Sequence, residues 1–199
     1  MTPPALRSAI RQAATSLQRG GLIAYPTEAV WGLGCDPNND KALQNLLALK
    51  NRDPKKGLIL IAADIAMFAP YLSGLQTEHM ALLQQSWPGA VTWLVPNNQM
   101  PNNPASSSQV SPLISGGQST LALRVTAHPV AAALSRAFGG PLVSTSANPQ
   151  GLPPAKSLMK VKAYFGNTLD AYTSGQIGSA ATPSEIRNLI TGDIIRAAG

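Results

Sequence analysis

Residues 21–35 read GLIAYPTEAVWGLGC, and the reading of this stretch decides the fold class. Positions 22–25 are apolar and the run stops at Pro26, the pattern of a short buried strand feeding a loop, because proline has no N–H to give to a ladder. Gly32 and Gly34 of WGLG are expected to permit a turn. Upstream, Leu6, Ile10, Ala13 and Leu17 recur at helical spacing until Gly20-Gly21 stop the helix. Downstream, NNDKALQNLLALKNR predicts a helix capped by Asn39 or Asp40, with Leu43, Leu46, Leu47 and Leu49 inside. Helix, strand, loop and helix in that order indicate an α/β chain.

The same alternation continues to the C-terminus. GLILIAA, AVTWLVP, STLALRV and PLVSTSAN read as strands, and SEIRNLI and DIIRAA as two more across a tight turn. Asp64 is expected to cap a short helix through Met67 and Phe68, Thr77 to cap EHMALLQQSW, Pro129 to begin AHPVAAALSRAFGG, and Ser157 to cap LMKVKAYFG. The expectation is one α/β (α+β) domain over residues 5–198, a twisted mixed sheet flanked by helices. Residues 97–118 show no periodicity, and a connection that long is expected to act as a mobile lid.

Only 12% of the 199 residues are charged, so charge is informative where it occurs. Fifteen Lys and Arg against nine Asp and Glu give +6, which favours phosphate-bearing partners. Between Glu78 and Asp170 there is no acid at all, so a paired-carboxylate glycosidase or an all-protein Mg²⁺ cage is disfavoured. One cysteine, Cys35, and two histidines, His79 and His128, cannot build a structural zinc site or an internal disulfide. Cys35 is expected to be a reduced, partly buried thiol and both histidines to be structural. No segment reads as a signal peptide or a membrane span, so a cytoplasmic location is expected.

Cations cluster in ALKNRDPKKG, residues 48–57, with Lys50 and Arg52 at the end of the predicted helix. The helix dipole favours cations there without any ligand, and as exposed groups the two are expected to matter more for turnover than for stability. Polar residues also collect at or near strand ends, where open α/β sheets hold ligands: Thr27, Thr120, Arg124, Ser144, Ser146, Asn148, Ser184 and Arg196. STSAN, residues 144–148, offers hydroxyls, an amide and backbone N–H groups, although a Ser/Thr-rich turn is commonly just a turn. The P-loop, the G-x-G-x-x-G fingerprint and the G-x-S-x-G elbow are absent.

PTEAVWGLG, the K-N-R at Lys50 and Arg52, WPGAVTWLVP, LALRVTAHP, STSAN and PSEIRNLITGDIIRAAG occur in one order and spacing. Together they resemble the YrdC-like family of threonylcarbamoyl-AMP synthases, in its short bacterial form. The resemblance implies that family's fold with a concave basic cavity. It also implies a nucleotidyltransferase that makes L-threonylcarbamoyladenylate and pyrophosphate from L-threonine, bicarbonate and ATP, for the N6-threonylcarbamoyladenosine modification of tRNA. Lys50 and Arg52 are implied as catalytic, with Lys50, Arg52, Thr120, Ser146, Asn148 and Arg196 on ATP and Thr27, Arg124, Ser144 and Ser184 on threonine. Mg²⁺ is expected on the triphosphate, with no metal site of the protein's own, and other proteins of the tRNA pathway are expected partners. Two departures stand out: Asp53 intervenes between Arg52 and Pro54, and Trp31 stands where tyrosine is common, keeping an aromatic wall. A double-stranded RNA-binding or ribosome-maturation module, or a nucleotide-binding regulatory subunit, would suit the same basic concavity.

Overall fold

The computed structural model describes residues 3–97, 110–180 and 184–197. Among the described residues nine strands, numbered in chain order, form one mixed sheet: β1 (Ile23–Pro26), β2 (Trp31–Gly34), β3 (Ile59–Ala62), β4 (Val91–Pro96), β5 (Thr120–Val125), β6 (Leu142–Ser146), β7 (Ala171–Tyr172), β8 (Glu185–Asn188) and β9 (Ile194–Arg196). They lie in the order β7-β1-β2-β6-β3-β5-β4-β8-β9. The β1–β7, β3–β5 and β4–β8 pairs are parallel and the other neighbours antiparallel. The helices are α1 (Pro4–Gln18), α2 (Asp40–Lys50), α3 (Ala69–Leu72), α4 (Thr77–Ser86), α5 (Pro112–Ser115), α6 (Pro129–Phe138) and α7 (Leu158–Phe165). The mixed α/β architecture agrees with the sequence reading.

Alternation along the strands sends side chains to two cores. Ile23, Tyr25, Ile61 and Leu142 meet α1 and α6 on one face, through Ile10, Ala13, Leu17, Ala131 and Leu134. Ala24, Trp31, Leu33, Leu60, Leu121 and Leu123 face the other way, against Leu43 and Leu46 of α2, Leu83 of α4 and Val161 of α7. α1 and α6 cover one end of their face. Across that face Leu142, Ile61 and Arg124 form one row and Ser144, Ile59 and Ala122 the next. Residues near the second row are the ones left to line a hollow, so the register decides which side chains reach a ligand.

Several local expectations are corrected. WGLG is no turn: it is β2, whose glycines let the buried Tyr25 ring lie close against the sheet. A Cβ on Gly34 would stand 2.8 Å from the Tyr25 ring and from the Val143 carbonyl oxygen. Trp31 is 1% exposed and belongs to the core rather than to a cavity wall, because Gly32 takes the cavity-facing position of the strand. Thr77 is the first helical residue of α4, and Gln76 occupies the cap position without a side-chain hydrogen bond. Cys35 is fully buried rather than partly so, and burial, then the charge of Asp36, pushes its thiol up to about 12. The lid reading falls mostly on residues 98–109, outside the described residues. Its remaining part carries α5, docked by the Leu58 N–H on the Ile114 carbonyl at 2.8 Å. The caps at Asn39, Asp64 and Ser157 and the helix start at Pro129 are as expected.

Lys50 is the largest departure. It is 4% exposed, not a surface cation. Its Nζ donates to the Ser146 carbonyl and, at 2.7 Å, to the Asn148 carbonyl, while the Gln150 N–H donates to the Lys50 carbonyl at 3.1 Å. The end of α2 and the loop after β6 are thereby tied together in both directions. Lys50→Ala takes the ammonium from the Asn148 carbonyl and leaves the Ser146 carbonyl only the Asn148 N–H at 3.0 Å, and is expected to lower the unfolding free energy by roughly 1–3 kcal/mol, read by urea denaturation. Burial, and then the Arg52 charge, lowers the Lys50 pKa to about 8. Between that value and the ordinary lysine value of about 10.4, the unfolded chain binds the extra proton, so this group makes stability rise with pH. The unfolding free energy of the protein relative to Lys50→Met should therefore grow by up to ~3 kcal/mol from pH 8 to 10.5.

Candidate functional site

A cavity of about 250 Å³ opens on the sheet face that α1 and α6 leave uncovered. Thr27, Arg52, Arg124, Ser144, Ser146, Ser184 and Arg196 line it, so seven side chains singled out in the sequence meet in one place. Each arrives on a different support. Thr27 follows β1, Arg124 sits in β5, Ser144 and Ser146 lie two apart in β6 and share one face, and Arg52 follows the left-handed Asn51 (φ 50°) that ends α2. Ser184 and Arg196 flank the β8–β9 hairpin at the sheet's far end.

The polar groups are mutually braced. The Thr27 hydroxyl donates to the Val30 carbonyl at 2.7 Å and shapes the β1–β2 turn. Ser184 Oγ lies 3.0 Å from Thr92 Oγ1, and Arg196 Nη2 donates to the Ser184 carbonyl at 2.7 Å, which folds the hairpin back on the cavity. Arg52 Nη2 donates to the Gly57 carbonyl at 2.9 Å, bridging the loop that contains Asp53. The role of Asp53 is local, since its carboxylate accepts the Lys55 N–H at 2.9 Å and caps the 3-10 turn Pro54–Lys56.

Three other predicted residues are not among the described residues that line the cavity. Lys50 lies beneath it, held on loop carbonyls. Asn148 accepts the Ser146 hydroxyl at 2.6 Å and donates to the Leu152 carbonyl at 2.7 Å, so it orders the STSAN loop. Thr120 opens β5 opposite Pro96, half-buried, on the same face as Arg124 by alternation.

Glu28 is the residue the sequence reading missed. Among the described residues it is the one carboxylate lining the cavity. Its Oε1 accepts the Thr126 hydroxyl at 2.6 Å and the Ala127 N–H at 3.0 Å, and its Oε2 stands 3.2 Å from Arg124 Nη2. Burial pushes its pKa up, but the Arg124 cation and these donors outweigh burial and hold the carboxyl below its usual range. The available signal was an acid directly after Thr27 in a chain poor in acids. For Arg196, burial and then the like charge of Arg124 lower the guanidinium's pKa, which places the two cations in one electrostatic field. His128, buried beside them, keeps its Nε2 3.0 Å from the Gln176 carbonyl and is held neutral chiefly by burial.

Three guanidiniums, one carboxylate and several hydroxyls can grip carboxylate and phosphate oxygens at fixed positions. Among the described residues no three His, Cys, Asp or Glu side chains converge as metal ligands, and no helix is long and apolar enough to cross a membrane.

Comparison with known proteins points the same way. A family model for Sua5, YciO and YrdC proteins, described as "Telomere recombination", matches residues 15–198. The chain is 50% identical over 191 residues to a threonylcarbamoyl-AMP synthase of Cellvibrio japonicus, covering 96% of each, and 50% identical over 195 residues to one of Halorhodospira halophila, covering 98% of this chain and 97% of the relative. The structure of P. abyssi Sua5 complexed with L-threonine superposes with a TM-score of 0.83 at 27% identity, over 94% of this chain and 53% of that longer one. With the match spanning nearly every element that builds the cavity, this chain belongs to the Sua5/YciO/YrdC family.

Proposed function

We propose that the protein is a threonylcarbamoyl-AMP synthase: it condenses L-threonine with bicarbonate and transfers AMP from ATP to the product, releasing pyrophosphate. The observation that carries this reading is the meeting of Arg52, Arg124 and Arg196 with Thr27, Ser144, Ser146 and Ser184 in one cavity. The relatives covered almost end to end carry that activity in their names, and the Sua5 structure carries L-threonine in its own.

The chemistry sets what the residues must do. Threonine's ammonium gives one proton to solvent, and the resulting amine attacks the carbon of bicarbonate: the N–C bond forms, the C–OH bond breaks, and the hydroxide leaves as water with a proton from the nitrogen, giving the carbamate. A carbamate oxygen then attacks the α-phosphorus of ATP, the bond to the β-phosphate oxygen breaks, and pyrophosphate leaves with the charge. Cations already in place where that charge grows lower the barrier without reorganising. Arg52 and Arg196 serve the triphosphate, with Thr120 at its outer end. Arg124 takes threonine's carboxylate, with Thr27, Ser144 and Ser184 around the small side chain. Ser146 offers its hydroxyl to phosphate, while Lys50 and Asn148 act by fixing the STSAN loop. Holding the reactants at attack distance supplies the rest, so no strong protein base is required. Mg²⁺ arrives on the triphosphate, held by phosphate oxygens and water, since the carboxylate of Glu28 is already engaged by Arg124.

At about 250 Å³ the cavity falls just below the usual range of ligand sites, which starts at about 300 Å³, so it suits threonine and phosphates with the nucleoside reaching outward. The activated product then passes to other proteins of the tRNA pathway, in the cytoplasm.

Pyrophosphate release by the purified protein is expected to require ATP, threonine and bicarbonate together; release without threonine, or none at all, overturns the reading. Arg124→Lys should raise the KM for threonine by about tenfold or more while changing that for ATP far less, because lysine cannot give a bidentate grip. Arg52→Ala should cut kcat by on the order of 10²-fold with thermal unfolding little changed, as loss of one charge-stabilising donor does elsewhere.

A further inference from the structure

The cavity is not evenly basic. Arg124 has a carboxylate against it, whereas among the described residues no carboxylate oxygen comes within ion-pairing distance of Arg52 or Arg196. Arg52 and Arg196 therefore keep carbonyl acceptors and no ion pair, with Asp53 acting on Arg52 only at longer range, whereas Arg124 sits in an Arg–Glu pair of near-zero net charge. The pair is close but poorly aligned. Glu28 Oε2 and Arg124 Nε are both buried and neither has a hydrogen-bond partner, although the two groups approach to 3.2 Å. A buried charged acceptor and a buried charged donor left open side by side are costly, and a ligand that brings one group of each sign relieves both.

We propose that Glu28 is a specificity determinant: it makes the Arg124 end of the cavity selective for a zwitterionic α-amino acid, and excludes phosphates and plain carboxylates from it. The proposal rests on the synthase reading and adds to it the group that tells the two substrates apart. The amino acid's carboxylate lies toward Arg124 and its nitrogen toward Glu28. A triphosphate is drawn by Arg52 and Arg196, which carry no ion pair, and gains little from the neutralised Arg124–Glu28 pair, so the nucleophile and the α-phosphate do not exchange places. Glu28 is well placed for this because it cannot swing away. Oε1 is clamped by Thr126 and Ala127, the Ala180 N–H donates to its backbone carbonyl at 3.2 Å, and a Cβ on Gly178 would sit 2.8 Å from that same oxygen, so the neighbouring segment lies directly on it.

The test compares L-threonine with 3-hydroxybutanoate, which keeps the carboxylate and hydroxyl and lacks the amine, by titration calorimetry. The unaltered protein is expected to prefer threonine strongly, Glu28→Gln to lose at least about tenfold of that preference, and Glu28→Asp to retain most of it, as expected for loss of one charge-assisted contact. A purely structural Glu28 would weaken both ligands alike, so an unchanged ratio in Glu28→Gln overturns the proposal. A second measurement needs no variant: pyrophosphate should displace ATP from the unaltered protein and leave the threonine Kd unchanged, and competition with threonine overturns the proposal equally. Failure of the unaltered protein to bind threonine at all sinks the synthase reading instead, which keeps the two apart.

Discussion

A lysine ammonium buried without a carboxylate holds the site together. Lys50 is surrounded by carbonyl oxygens of the loop after β6, and the Arg52 charge stands nearby in the same direction along the chain. Desolvating an ammonium is expensive, and carbonyl dipoles return part of that energy only while the loop keeps its place. The arrangement is thus mutual: the loop carbonyls need the N–H groups of Nζ, and the buried nitrogen has no good alternative to the loop. Two consequences reach the cavity. Ser146 is held with its hydroxyl on Asn148, and Arg52, two residues beyond Lys50, is delivered to the rim by the left-handed Asn51.

The cavity depends on this frame because its charges come from segments far apart in sequence. Glu28 and Thr126 are separated by 98 positions, and Thr92 and Ser184 by 92. Bringing three guanidiniums together in a partly dry hollow would destabilise the fold if each kept its full charge uncompensated. The structure limits that strain in two ways. Carbonyls of Gly57 and Ser184 accept from Arg52 and Arg196, and Glu28 offsets Arg124. Carbonyl acceptors leave the positive field of Arg52 and Arg196 intact, while the Glu28 carboxylate cancels that of Arg124, so the choice of partner makes the three arginines electrostatically unequal.

Much of this architecture was legible in the sequence, and the reasons differ by residue. Apolar runs bounded by proline and glycine marked the longer strands, and Asn39, Asp64 and Ser157 announced helix starts, because both signals are local. The two-residue β7 was missed, since a pair of residues carries no periodicity. Trp31 and the WGLG glycines were misplaced for a related reason: which side of β2 meets the core depends on Tyr25 lying across the sheet, a tertiary fact. Lys50 reads as a solvated helix end unless one knows that the loop of residues 146–150 closes over it. Seven of the ten proposed contact residues do converge, carried by motif order, whereas Glu28 escaped because its partners are an arginine and a threonine about a hundred residues away.

The strand order explains why the site is completed by the end of the chain. β8 pairs in parallel with β4 at the edge of the sheet, and β9 then returns antiparallel, so Arg196 reaches back to the Ser184 carbonyl where the hairpin begins. Arg187 and Glu185 pair on the same hairpin, and Ser184 is anchored on Thr92 of β4. Without the hairpin the cavity would retain Arg52 and Arg124 but would lose one wall and one cation. The Thr92–Ser184 contact that anchors the hairpin spans 92 residues, so loop-closure entropy opposes it, whereas Arg196 and Ser184 are only 12 apart. The Arg–Glu pair is thus held by β5, the β1–β2 turn and the turn into α6, while Arg196 is contributed by the hairpin beyond β4, so the strand order as much as the residues themselves decides which guanidinium is paired.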